Sequence, residues 1–250
     1  MKQKWALITG ASSGIGAATA KKLAEHGFNL ILTGRRKDRL EELAHSLKAG
    51  EVVLANFDLL KPSEIEKFCT GHEAYLKKLD VLVNNAGLAK GSELLDQGQL
   101  KDWDVMLDTN VRALLHITRA VLPFMVARQE GHIVNMGSVA GRWVYPGGAI
   151  YCATKHAVRA FSEGLRMDLL GKNIRVTNIE PGMVNTEFSK VRFDSQAKAD
   201  AVYEGMTPLS AEDIAETIVW SIARPAHVNI QEIIIYPTAQ AHVGMVHRSK

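Results

Sequence analysis

Tyr151 and Lys155 stand four residues apart in Tyr151-Cys152-Ala153-Thr154-Lys155, so on a helix the phenol and the ammonium share one face, one turn from each other. A phenol loses its proton near pH ~10 in water, and a fixed cation beside it favours the phenolate. The pair is thus suited to proton transfer at neutral pH, although the same spacing also fits a snorkelling surface pair. Upstream, Ser138 closes the apolar run His132 to Met136 and Gly137, where its hydroxyl is placed to hold a carbonyl oxygen.

A second group of residues is suited to binding phosphate. Thr9-Gly10-Ala11-Ser12-Ser13-Gly14-Ile15-Gly16 follows the first apolar run and leads into a helical pattern. Glycines at such a place permit a tight turn, close approach of a pyrophosphate to the backbone, and packing of helix on strand. The spacing is GxxxGxG and departs from the GxGxxG fingerprint. The second apolar run ends in Thr33-Gly34-Arg35-Arg36 with no carboxylate at its tip. A carboxylate there suits the ribose 2′-hydroxyl of NAD, whereas Arg suits a 2′-phosphate, so Arg35 and Arg36 favour NADP(H). Asp38 is the residue of better polarity for capping the helix that follows. Asp58-Leu59 ends the third run, with a carboxylate able to accept from an adenine amino group. The fourth run ends in Asn84-Asn85-Ala86-Gly87, where small residues let a ring or ribose lie against backbone; Asn85 equally suits a turn.

The elements that must carry these groups alternate along the chain. Strands are expected over 5–9, 28–33, 52–57, 80–84, 132–136, 174–179 and 232–236. Helices are expected over 14–26, 37–48, from Pro62 onward, and over 99–128, 151–170 and 210–223. Continuous Val, Ile and Leu in the strands implies burial on both faces, as in a parallel sheet covered by helices. The expectation is one α/β domain over residues 1–250, a Rossmann-type doubly wound sheet of seven strands whose ligand lies beyond the strands' carboxyl ends. Composition narrows the partners. With 46% hydrophobic and 23% charged residues the chain is globular, and a scattered net charge of +3 gives no footprint for nucleic acid. Cys69 and Cys152 form no disulfide or metal spacing and the nine histidines no metal motif, so no metal is expected. No secretory signal or membrane-length run is evident, and a cytoplasmic protein is expected.

Gly10, Gly14 and Gly16, Asn84 to Gly87, Asn110, Ser138, Tyr151 and Lys155, in this order, resemble the short-chain dehydrogenase/reductase family over essentially the whole chain. The resemblance implies that Tyr151 exchanges a proton with the substrate oxygen, and that Lys155 lowers its pKa and binds the nicotinamide ribose. It further implies that Ser138 orients the carbonyl, that Asn110 holds a proton-relay water, and that the protein is a homotetramer. Ile179-Glu180-Pro181-Gly182-Met183-Val184, Thr186-Glu187-Phe188-Ser189 and Val191-Arg192-Phe193 look like the substrate-side loop of NADP-dependent 3-hydroxy acid dehydrogenases. That likeness implies hydride transfer to and from the 3-hydroxyl carbon of small acids such as L-allo-threonine, serine or 3-hydroxyisobutyrate. Pro181 and Gly182 are then expected beside the nicotinamide, with Thr186 reaching its carboxamide or the phosphates.

Residues 187–208 lack periodicity and are expected to form a mobile lid. A small anionic substrate calls for a fixed guanidinium fork, for which Arg192 is the first candidate and Arg142 the second. Two alternatives remain at this point. One is a carbonyl reductase with a broad apolar pocket fed by the four tryptophans and eight methionines. The other is a non-catalytic NADPH-binding regulator, whose proton-transfer set would be broken; here Asn110, Ser138, Tyr151 and Lys155 are all present.

Overall fold

In the computed structural model, which describes residues 3–249, seven strands alternate with helices. The strands are β1 (Trp5–Ile8), β2 (Asn29–Gly34), β3 (Val52–Asn56), β4 (Leu79–Asn84), β5 (Gly131–Met136), β6 (Ile174–Pro181) and β7 (Glu232–Ile235). They form one parallel sheet in the order β3-β2-β1-β4-β5-β6-β7. Successive residues of a strand face opposite sides. Ala6 and Ile8 of β1 accordingly join one buried apolar cluster, and Trp5 and Leu7 join the other. This accounts for the uninterrupted apolar runs: both faces are covered, each buried Leu or Ile contributing about 1.5–3 kcal/mol. β1 lies between β2 and β4, so strand order reverses there and opens a crevice beyond their carboxyl ends.

The helices are α1 (Gly14–Glu25), α2 (Lys37–Ser46), α3 (Pro62–Gly71), α4 (Glu73–Leu76), α5 (Leu100–Leu107), α6 (Ala113–Arg128), α7 (Ala149–Asp168), α8 (Glu187–Phe193), α9 (Gln196–Ala201) and α10 (Ala211–Ile222). Three departures from the sequence expectation bear on the site. The helix expected over 99–128 is interrupted by a π turn at Asp108–Arg112, which carries the buried Asn110. The aperiodic segment 187–208 contains α8 and α9, each too short for a helical period to show in the sequence. The chain ends in an antiparallel hairpin of β8 (Gln240–His242) and β9 (Met245–Val246), which the composition did not announce. Asp38 lies in the first turn of α2, but the N-cap position is held by Arg36 and no side chain caps it.

Candidate active site

The crevice at the carboxyl ends of β1, β2 and β4 to β6 is a cleft of about 580 Å³. Its floor begins with the turn after β1. Gly10 has φ 65°, and a Cβ on it would stand 2.9 Å from Cα of Ala86. A Cβ on Gly16 would come within 2.5 Å of both Gly10 O and Asn85 Nδ2. The turn and the end of β4 are therefore packed backbone against backbone, a cradle that any side chain would fill. Asn85 secures it: Nδ2 donates to Thr9 O at 3.0 Å and to Gly10 O at 3.2 Å, while Thr9 Oγ1 accepts from Asn85 N and Ala86 N.

Most of the expected cofactor residues line this cleft: Gly10, Ser12, Ser13, Gly14, Ile15, Arg35, Arg36, Asp58, Leu59, Asn85, Ala86, Gly87, Pro181, Gly182 and Thr186. Gly16 does not, because it faces Gly10 and Asn85 inside the turn; its part is to let α1 pack on the sheet. Arg36 is held over the turn, donating from Nε and Nη2 to Ser12 Oγ and from Nη2 to Ser13 Oγ at 2.7 Å. Asp58 Oδ1 accepts from Leu60 N at 3.0 Å, so part of its carboxylate is spent on its own turn. Thr186 Oγ1 caps α8 by accepting from Phe188 N at 3.2 Å. A glycine cradle with two arginines at the tip of β2 fits a dinucleotide that carries a 2′-phosphate.

Tyr151, in the first turn of α7, and Lys155, one turn on, both line the cleft beside Ser138. Ser138 Oγ accepts from Ala140 N at 3.1 Å and donates to Pro181 O at 3.4 Å, so the hydroxyl is aimed by the turn after β5 and the end of β6. Lys155 is buried; its Nζ donates to Met136 O at 2.7 Å, and burial pulls its pKa down to about 8. The phenol of Tyr151 does not show the downward shift expected from Lys155. Burial pushes it above its usual range and Tyr145 adds to the rise, while Ser138 and Arg192 act in the other direction. Lys155 is not among the groups acting on it: Nζ is turned to Met136 O and lies 5.8 Å from the ring centre.

Asn110 departs from expectation in the same way. Its Oδ1 accepts from Leu88 N at 2.8 Å, and its Nδ2 donates to Leu88 O at 2.8 Å and to Thr154 Oγ1 at 3.1 Å. The side chain is committed and does not line the cleft; Thr154 Oγ1 in turn donates to Tyr151 O at 2.7 Å. Asn110 thereby ties the loop after β4 to the first turn of α7. Arg142 is also away from the cleft. It pairs with Glu180, whose side chain is wholly buried, and with Glu232, which also takes a bond from Arg159. A guanidinium committed to the buried Glu180 and to the partly buried Glu232 is not free for a substrate, so Arg142 does not fill the carboxylate-binding place expected for it.

Arg192 remains. Its Nε donates to Gly91 O at 3.0 Å, Nη1 to Tyr145 Oη at 3.0 Å, and Nη2 to Gly147 O at 3.4 Å. Arg192 and Tyr145 sit where the cleft meets a smaller cavity of about 210 Å³, and Tyr151 borders both spaces. Five donors on the guanidinium against three acceptors leave N–H groups for an incoming anion. Tyr145, Tyr203 and Gln240 line the cleft as well and were not singled out in the sequence; Glu187 and Phe188, from the segment expected on the substrate side, line it too. Gln240 Oε1 accepts from Met183 N at 2.8 Å and so holds the Pro181-Gly182-Met183 backbone. The one sequence signal that could have found any of them is the phenol of Tyr145, six residues before Tyr151. None of the four tryptophans lines the larger cleft. Among the described residues no group of metal-ligating side chains occurs and no helix is long and apolar enough to cross a membrane.

Residues 4–197 match the family described as short chain dehydrogenase. The chain is 48% identical over 247 residues to the NADP-dependent 3-hydroxy acid dehydrogenase YdfG of Salmonella typhi, covering 97% of this chain and 99% of that protein. It is 44% identical over 238 residues to sulfoacetaldehyde reductase 2 of Chromohalobacter salexigens, covering 94% of each. Among solved structures, the closed form of a serine dehydrogenase complexed with NADP+ aligns with a TM-score of 0.92 at 43% identity, covering 98% of this chain and 100% of that one.

Proposed function

The chain belongs to the short-chain dehydrogenase family, and from that premise we propose that it is an NADP(H)-dependent oxidoreductase of small 3-hydroxy acids. The observation that carries the substrate class is the placement of Arg192 and Tyr145 beside Tyr151. In a 3-hydroxy acid one carbon separates the carboxylate from the carbinol carbon, so the anion-binding group must stand close to the proton-transfer group. Arg192 and Tyr145 are near enough to act on the Tyr151 phenol, and Arg192 is the cation among the groups that do so. The relatives support the same chemistry. A sulfoacetaldehyde, like a 3-oxo acid, carries its anion one carbon from the carbonyl, and serine carries its carboxylate one carbon from the hydroxymethyl group.

Tyr151 takes the hydroxyl proton as its phenolate during oxidation and returns it as the phenol during reduction, within reach of Ser138, which orients the oxygen. Lys155 holds the ribose side of the cofactor and brings positive charge to the site. Bound NADP(H) supplies the hydride chemistry. Pro181 and Gly182, fixed by Gln240, form the wall against the nicotinamide; Arg35 and Arg36 receive the 2′-phosphate. Asn110 is a positioning residue: its side chain, held by Leu88 and Thr154, fixes the loop after β4 against α7.

We infer a cytoplasmic homotetramer; the two free cysteines support the compartment, and exposed Leu94, Leu95, Leu100 and Leu107 supply apolar surface for association. The reading is tested by NADP+-coupled oxidation of L-allo-threonine, serine, 3-hydroxyisobutyrate and a neutral secondary alcohol of similar size. Activity on the acids above that on the alcohol supports it. Activity on the alcohol alone replaces it with a carbonyl reductase of neutral substrates.

A further inference from the structure

Glu187 opens α8 at a point where two guanidinium groups converge. Arg36 donates from Nη1 to its Oε2 at 3.0 Å; Arg39 donates from Nη1 to Oε1 at 2.7 Å and to Oε2 at 2.9 Å. Arg36 at the same time grips Ser12 Oγ and Ser13 Oγ in the turn after β1. Two arginines and two hydroxyls beside that turn are the donors a phosphate group requires; the Glu187 carboxylate occupies both arginines, and Arg36 in turn ties up the hydroxyls of Ser12 and Ser13. A second anion arriving there meets both a shortage of free donors and Coulomb repulsion. Beyond Glu187, the same short helix presents Phe188 edge-on to the Tyr151 ring, with centroids 5.6 Å apart, and carries Arg192 to the substrate side.

We propose that Glu187 is a built-in competitor for the 2′-phosphate seat: a 2′-phosphorylated nucleotide displaces it from Arg36 and Arg39 and so unlatches α8 from α2. This rests on the NADP(H) reading and goes beyond it. Cofactor identity is then communicated along one helix to the residues that face Tyr151 and the substrate anion. A nucleotide without the 2′-phosphate leaves the latch shut. Arg39, half-exposed on α2 and absent from the cleft lining, acquires a role as the residue that holds the latch.

The test uses the ligand-free protein and two nucleotide probes, 2′,5′-ADP and 5′-AMP, with calorimetric binding and hydrogen exchange of the α8 amides. Glu187→Gln is expected to bind 2′,5′-ADP roughly three- to tenfold tighter than the parent, with 5′-AMP unchanged. In the parent, 2′,5′-ADP accelerates exchange in α8 and 5′-AMP does not; in Glu187→Gln exchange is fast without ligand. Glu187→Asp, which keeps the charge, retains the parent's response. Unchanged or weaker binding of 2′,5′-ADP by Glu187→Gln, or equal gains for both probes, overturns the inference. If the parent itself binds both probes equally, the NADP(H) reading falls with it; if the parent discriminates and Glu187→Gln gains nothing, the inference alone falls.

Discussion

Lys155 Nζ lies 5.8 Å from the centre of the Tyr151 ring and is hydrogen-bonded to the carbonyl oxygen of Met136, not to the phenol. An ammonium held in this way is buried with one acceptor, and its pKa falls to about 8. Below pH 8 the folded protein carries the cost of burying the charge. The unfolded chain keeps its proton up to 10.5, so the cost fades as the pH rises from 8 to 10.5. Lys155→Met is therefore expected to stabilise the ligand-free protein at pH 7 by on the order of 1–3 kcal/mol. The gain shrinks towards pH 10, and turnover is lost at every pH. Urea unfolding at the two pH values checks this; a variant less stable at pH 7 would mean the ammonium is not under strain.

His132 gives a second pH dependence, remote from the cleft. It is buried on β5 with Nε2 2.8 Å from Thr177 Oγ1, and burial, with Arg175 nearby, lowers its pKa from 6.5 to about 3. The neutral form belongs to the fold. Stability is complete above pH 6.5 and is lost as the pH falls towards 3, because the unfolded state binds a proton the folded state refuses. His132→Gln is expected to reduce the slope of stability against pH in that window by up to about one proton. An unaltered slope would show that His132 titrates freely in the folded protein.

Arg192 and Tyr145 make opposite predictions for charged and neutral substrates. Arg192→Met should lower kcat/KM for 3-hydroxy acids by roughly 100-fold or more, and Tyr145→Phe by about tenfold, in line with loss of hydrogen bonds to a charged group. A neutral secondary alcohol should be affected severalfold at most. Equal losses on acids and alcohol would mean that the two residues only hold the loop carrying Gly91 and Gly147.

The strand positions and the main site residues were legible because their physical signals are local. Uninterrupted apolar runs announced strands covered on both faces, and Gly10, Ser138 and Tyr151 each follow or face a strand end. What escaped depends on tertiary partners. Nothing near Arg142 shows that Glu180 and Glu232 will claim it, since Glu232 lies far along the chain on β7. The amide of Asn110 is committed to Leu88 and Thr154 through a π turn that a helical period conceals. Gln240 reaches Met183 from a terminal hairpin, and α8 is too short to register as periodic. The raised pKa of Tyr151 follows from burial, which a four-residue spacing does not contain.

The central claim is that the Tyr151 phenol moves the substrate proton in an NADP+-dependent oxidation, and one comparison tests it most directly. Initial rates of NADPH formation from L-allo-threonine are measured for the parent and Tyr151→Phe, with NADP+ affinity measured on the same preparations. The account predicts a rate lowered by about 10²- to 10⁴-fold with NADP+ affinity retained. An undiminished rate in Tyr151→Phe would contradict it.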